Sequence, residues 1–244
     1  MEVRLRPDPE GAGDEAARVL AAAAQEAVAR RGRFLVALSG GRTPEPMLRR
    51  LAQLPLPWPK IQVFQVDDRQ APLGHPERNL TQLSALLVSA GPLPAANLQA
   101  MPLELPDLDE AARRYAQTLE RLAGRPPILD LVHLGLGADG HTASLLPGHP
   151  VLAVMDQTVA ATGVYQGYRR LTLTYPVLNA ARTILWLVTG ADKAPALARL
   201  AAGEASQPAG RIRRDGALIV ADAAAARLLP ANPAASEAAG RPRG

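Results

Sequence analysis

The chain has no cysteine, so disulfides and thiolate metal sites are excluded. Aromatic residues make up only 3% of its 244 residues, and none of them stud a basic stripe, which argues against a nucleic-acid partner. No apolar run reaches membrane-spanning length, and the amino-terminal MEVRLRPDPEG lacks the apolar core of a signal peptide. The expectation is a soluble, cytoplasmic protein with no membrane partner. Neither His-x-x-x-His nor His-x-x-Glu-His spacing occurs, so no metal is expected. Lysine is nearly absent as well: Lys60 and Lys193 stand against 25 arginines, which makes a lysine at a strand end worth noting. The net charge of +4 is modest and suits a small anionic ligand.

What the chain does have is alternation of short apolar runs with helical patterns. Its length fits one large α/β domain. Val3 to Arg6 reads as an edge strand, and Asp14 opens an Ala-rich helix to about Arg31. Phe34 to Leu38 is a compact strand. Thr43 reads as the cap and Pro44 as the first residue of a helix to about Leu54. Strands are expected at Ile61–Val66, Leu98–Met101, Ile128–Leu136, Val159–Val164, Arg169–Thr174, Thr183–Val188 and Ala217–Ala221. Helices are expected at Asn79–Leu87, from the Asp107/Glu110 capping pair to Leu122, at Pro176–Ala181, at Ala194–Ala202 and at Asp222–Leu229. This alternation predicts a mainly parallel sheet with helices on both faces over residues 1–230, and a disordered tail at 231–244.

Four strand ends carry polar or glycine-rich sequence: Ser39-Gly40-Gly41, Asp67-Asp68-Arg69, Gly137 to His141, and Gly190 to Lys193. Polar loops are ordinary, but a parallel sheet places all four on one rim, where ligands bind. The Ser39–Thr43 loop offers backbone N–H groups at a helix start, a ready phosphate site. Gly135-Leu136-Gly137-Ala138-Asp139-Gly140 matches the dinucleotide fingerprint, yet Pro147, Gly148 and Pro150 leave no room for the long helix that motif requires. Ala37-Leu38-Ser39-Gly40-Gly41 is a near miss to a nucleophile elbow, but its helix starts too late, and Ser39 reads better as a phosphate ligand or turn residue. Among the four histidines, His133 reads as packed core and His149 as solvated loop, while His75 either lines the site or caps a turn. His141 has Asp139 two residues back to orient it, and an imidazole is a competent base near neutral pH.

Gly137-Ala138-Asp139-Gly140-His141-Thr142-Ala143-Ser144, Ser39 to Pro44, Asp67 to Arg69 with His75 and Asn79, Arg170 to Asn179, and Val188 to Lys193 together resemble the bacterial 6-phosphogluconolactonases. The similarity runs from about residue 14 to 229. It implies a Rossmann-like domain of the glucosamine-6-phosphate deaminase/ribose-5-phosphate isomerase type. It also implies cofactor-free hydrolysis of 6-phosphoglucono-δ-lactone in the oxidative pentose phosphate pathway; the oligomeric state is left open. By position, His141 matches the family's general base and Asp139 its neighbour. Ser39, Gly40, Gly41, Arg170 and Lys193, with Arg42 and Thr43 in the same loop, match the phosphate side, and Asp67, Arg69 and Asn79 the sugar side. Two positions depart from the family pattern: Asp68 replaces a glutamate, and Arg78 replaces a serine before Asn79. The first leaves Asp68 without an expected catalytic part; the second adds either a phosphate contact or an exposed cation. The nearest rival, a sugar-phosphate isomerase or deaminase, needs a further acid after the histidine, and Thr142 to Gly148 has none. A non-catalytic sugar-phosphate sensor on the same fold is the other alternative.

Overall fold

A computed structural model describes residues 1–230; the expectation for the tail lies outside the described residues. Among the described residues ten strands occur in chain order: β1 (Glu2–Arg6), β2 (Phe34–Leu38), β3 (Ile61–Gln65), β4 (Asp67–Arg69), β5 (Leu98–Gln99), β6 (Leu131–Leu134), β7 (Val159–Tyr165), β8 (Tyr168–Leu173), β9 (Thr183–Val188) and β10 (Ala217–Asp222). The helices are α1 (Pro9–Arg31), α2 (Glu45–Ala52), α3 (Asn79–Leu83), α4 (Leu108–Ala123), α5 (Tyr175–Ala180), α6 (Ala194–Ala202) and α7 (Ala223–Ala226). None is long and apolar enough to cross a membrane.

Seven strands form one parallel sheet in the order β1-β10-β9-β6-β2-β3-β5. Side chains alternate between its faces, as the two-residue period of a strand dictates. Phe34, Val36 and Leu38 join Ile61, Val63, Leu185 and Leu187 under α1 and α2. Leu35 and Ala37 face the other way with Phe64, Val132, Ile184 and Trp186, against α4, α6 and the second sheet. Strands covered on both faces are accordingly almost wholly apolar, which is why they were legible as continuous runs.

The second sheet, β4-β8-β7, is antiparallel and was not anticipated. Asp67-Asp68-Arg69 reads as loop because it is polar. It becomes a strand only by pairing with β8, in the register Asp67↔Thr172, Asp68↔Leu171 and Arg69↔Arg170. That register sets Arg69 and Arg170 side by side at the rim.

Three local expectations are corrected. Helix α1 starts at Pro9, five residues before Asp14, because the Asp8 carboxylate accepts from the Gly11 N–H at 2.7 Å and caps it. Helix α2 starts at Glu45; Thr43 does not cap it, and its hydroxyl instead accepts from that of Thr189 at 3.3 Å. The helix expected at Asn79–Leu87 loosens after Leu83 into a π turn over Ser84–Ser89.

Candidate active site

The carboxyl ends of the parallel strands open onto a cleft of about 510 Å³. Into it the fold brings Ser39, Gly40, Gly41, Arg42 and Thr43 from the loop after β2, and Asp67, Arg69 and Asn79 from the segment after β3. His141 comes from the loop after β6, Arg170 from β8, and Lys193 from the turn after β9. Asp139 stands behind His141 rather than in the cleft wall.

The loop after β6 is folded around this acid and base. The Gly137 N–H donates to the His141 carbonyl at 2.8 Å, and Gly140 turns with φ of 83°. A Cβ on Gly137 would stand 2.1 Å from His141 Nδ1 and 2.5 Å from Asp139 Oδ1, so only glycine lets the pair close. Asp139 Oδ1 lies 2.6 Å from His141 Nδ1 and also accepts the His141 backbone N–H at 3.2 Å. Burial pushes the Asp139 carboxyl up, but the neighbouring imidazole outweighs it and holds the group below its ordinary range. An ionised carboxylate only accepts, so Nδ1 carries a proton, and in the neutral imidazole the lone pair is the one on Nε2.

The two hydroxyls of this loop are structural. Thr142 donates to the Gly135 carbonyl at 2.8 Å, and Ser144 to Asp67 Oδ2 at 2.7 Å. Asp67 is buried, and burial raises its carboxyl pKa against the opposing pull of Ser144 and Arg170. Asn79 donates to the Asp67 carbonyl at 2.9 Å.

Cations gather at the same rim. The Arg170 guanidinium is buried, and burial, reinforced by neighbouring Arg69, lowers its pKa; its Nε has no partner among the described residues. Arg69 is tied to the Glu77 carboxylate at 2.7 Å, and Lys193 to Asp192 at 2.9 Å. In the Ser39–Thr43 loop the expectation of free N–H groups is met only in part. Ser39 N–H approaches His133 Nδ1 at 3.4 Å, and Gly41 N–H donates to Gln82 Oε1 at 2.8 Å.

The departures Asp68 and Arg78 meet each other. Arg78 neither contacts the cleft nor lies exposed: its buried Nε donates to Asp68 Oδ2 at 3.2 Å, and Nη1 reaches Glu104. Asp68 also accepts the backbone N–H of Asn79 at 2.7 Å, so the pair anchors the residue that enters the site. His75 caps a turn, accepting the Glu77 N–H at 3.1 Å. His149, expected as solvated loop, is half-buried and accepts the Gly163 N–H at 3.0 Å, tying its loop to β7. Among the described residues no cluster of three or more histidine and acidic side chains is arranged to hold a metal ion.

His133 is core, as its place in an apolar run suggested, but it also forms part of the cleft floor. Burial pushes its imidazole down to about 3, well below the unfolded value near 6.5. The folded state therefore holds it neutral, and unfolding at acid pH takes up a proton. Its contribution to stability is complete above about pH 6.5 and is lost as pH falls toward 3. Between pH 6.5 and 4.5 that amounts to about 3 kcal/mol at 1.36 kcal/mol per unit. Urea unfolding at pH 7.5 and 4.5 is expected to show His133→Leu losing about 3 kcal/mol less than the wild type over that interval.

Sequence reasoning missed Tyr165 and Gln82. The hairpin turn Gln166-Gly167, with φ of 50° and 82°, is the signal that would have joined β7 to β8 and placed Tyr165 beside the loop of His141.

The family described as glucosamine-6-phosphate isomerases/6-phosphogluconolactonase matches residues 7–220. The 6-phosphogluconolactonase of Synechocystis sp. is 41% identical over 201 residues, 80% of this chain and 83% of its own length. That of Nostoc sp. is 38% identical over 83% of this chain and 88% of its own. The crystal structure of 6-phosphogluconolactonase from Thermotoga maritima superposes with a TM-score of 0.81 at 26% identity, covering 91% of this chain and 98% of that one. With its parallel sheet covered on both faces and that family matching residues 7–220, the chain belongs to the glucosamine-6-phosphate isomerase/6-phosphogluconolactonase family.

Proposed function

We propose that the chain is a 6-phosphogluconolactonase, hydrolysing 6-phosphoglucono-δ-lactone to 6-phosphogluconate in the oxidative pentose phosphate pathway, with His141 as general base. The observation that carries this reading is the placement of one imidazole, its tautomer set by Asp139, in the same cleft as Arg170, Lys193 and the Ser39–Thr43 loop. A δ-lactone is an activated ester, so a positioned water and a single base suffice without a covalent intermediate.

His141 Nε2 takes a proton from water as the water oxygen bonds to the C1 carbonyl carbon. Arg69 or a backbone N–H of the glycine loop steadies the resulting oxyanion. As the bond from C1 to the ring oxygen breaks, the imidazolium returns its proton to that oxygen, leaving an open-chain acid. The phosphate at the far end is held by Arg170, Lys193 and the loop after β2. Binding there orients the reacting carbonyl.

Acid release from lactone generated in place from glucose 6-phosphate tests the activity: the rate is expected to exceed spontaneous decay. Ammonia release from glucosamine 6-phosphate would instead favour the deaminase reading. Arg170→Gln and Lys193→Ala are each expected to raise KM about 10- to 100-fold, the loss of one charge-assisted bond, with a smaller change in kcat. Steady-state kinetics check this; an unchanged KM in both would move the phosphate elsewhere.

A further inference from the structure

Tyr165 closes the β7–β8 hairpin and touches both ends of the site. Its hydroxyl donates to Asp139 Oδ2 at 3.3 Å, the oxygen that His141 leaves free. Its ring stands edge-on to His141, with centroids 5.9 Å apart and planes at 69°. The Arg170 guanidinium lies over the same ring at 5.1 Å from its centroid, and Arg170 Nη2 donates to the Tyr165 carbonyl at 3.4 Å. One residue thus contacts the acid, the base and the buried cation.

The hairpin gives it a fixed seat. The turn at Gln166-Gly167 adopts positive φ at both residues, the two-residue geometry that matches strand twist. Tyr165 and Tyr168 pair across it. Asp139 is partly exposed, and on its own loop only His141 faces it. Both His141 donors hold Oδ1, so the Tyr165 hydroxyl is what holds Oδ2; without it the carboxylate is fixed at one oxygen only and the orientation of the imidazole loosens.

We infer that Tyr165 is a positioning residue that locks Asp139, and through it His141, to the strand that carries Arg170. The inference rests on the reading of His141 as base and deepens it. It assigns the ring a separate part: holding the Arg170 guanidinium at the phosphate end by cation–π attraction. The hydroxyl and the ring therefore govern different kinetic constants.

Steady-state kinetics on Tyr165→Phe, Tyr165→Leu, Asp139→Ala and the double variant Asp139→Ala/Tyr165→Phe test this, with thermal melts to establish that each is folded. Tyr165→Phe is expected to lower kcat about fivefold, the worth of one long hydrogen bond to a partly exposed carboxylate, with KM unchanged. Tyr165→Leu is expected to add an increase in KM of about threefold or more. In the Asp139→Ala background the hydroxyl has nothing left to hold, so Tyr165→Phe is expected to have no further effect on kcat. A wild-type kcat in Tyr165→Phe, or an equal loss with and without Asp139, overturns the inference. His141→Ala measured alongside separates the two failures: if it is inactive while Tyr165→Phe is normal, the base stands and the positioning role falls. If His141→Ala is fully active, the underlying reading falls first.

Discussion

His141→Ala is expected to lower kcat by about 10²- to 10⁴-fold, the usual worth of a positioned general base. The imidazole is the one group in the cleft that combines a free basic nitrogen with a partner that fixes its tautomer. Of the carboxylates lining the cleft, Asp67 has both oxygens engaged, by Ser144 at 2.7 Å and Asn79 at 3.4 Å, and Asp192 is paired with Lys193 at 2.9 Å. His133, the second imidazole, has its Nδ1 lone pair directed at the Ser39 N–H and sits in the floor of the cleft. Asp139→Asn sharpens the test. Its amide would donate to Nδ1, place the proton on Nε2 and turn the base into a donor, so a loss of about 10²-fold or more is expected with the fold intact. Because the imidazole holds Asp139 below the ordinary carboxylate range, Asp139 stays ionised through the weakly acid region.

Asp68→Ala is expected to destabilise the fold by about 3–5 kcal/mol, the cost of stranding one member of a buried ion pair. In this size class that corresponds to a drop in Tm of about 6–20 °C. The Arg78 guanidinium would keep Glu104 at the edge and the Ala71 carbonyl, but no buried counterion. The backbone N–H of Asn79 would lose its acceptor, releasing a residue that lines the cleft, so activity is expected to fall with stability. Arg78→Met is expected to cost less, because Asp68 keeps Gln65 Nε2 at 2.9 Å and the N–H groups of Arg69 and Asn79 at 2.8 and 2.7 Å. The double variant Asp68→Ala/Arg78→Met is expected to be more stable than Asp68→Ala alone. Chemical unfolding of the three measures this; a loss under about 1 kcal/mol in Asp68→Ala would show that the pair contributes little.

The residues that were legible from sequence are those whose cause is local. Phe34–Leu38, Thr183–Val188 and Ala194–Ala202 fall where the apolar patterns put them, since each is bounded by glycine or polar residues and buried on one or both faces. The convergence of four strand ends on one rim follows from parallel topology alone. What was not legible depends on partners distant in the chain. Helix α1 begins at Pro9, before the Asp14 start expected from sequence, and runs through Gly11 and Gly13; a Cβ at Gly13 would lie 2.7 Å from Pro46, so this glycine is where α1 crosses the start of α2. Strand β4 exists only against β8. Asp68 and Arg78 each look anomalous alone, and only their contact across ten residues shows that one offsets the other. Tyr165 carries no motif at all; its reach to Asp139 depends on a hairpin turn and on the placement of two sheets.

The most direct measurement is titration of acid released from freshly generated 6-phosphoglucono-δ-lactone by the wild-type chain and by His141→Ala at matched concentration. The expectation is release well above spontaneous decay for the wild type and close to it for the variant. Equal rates for the two proteins, both above decay, would contradict it.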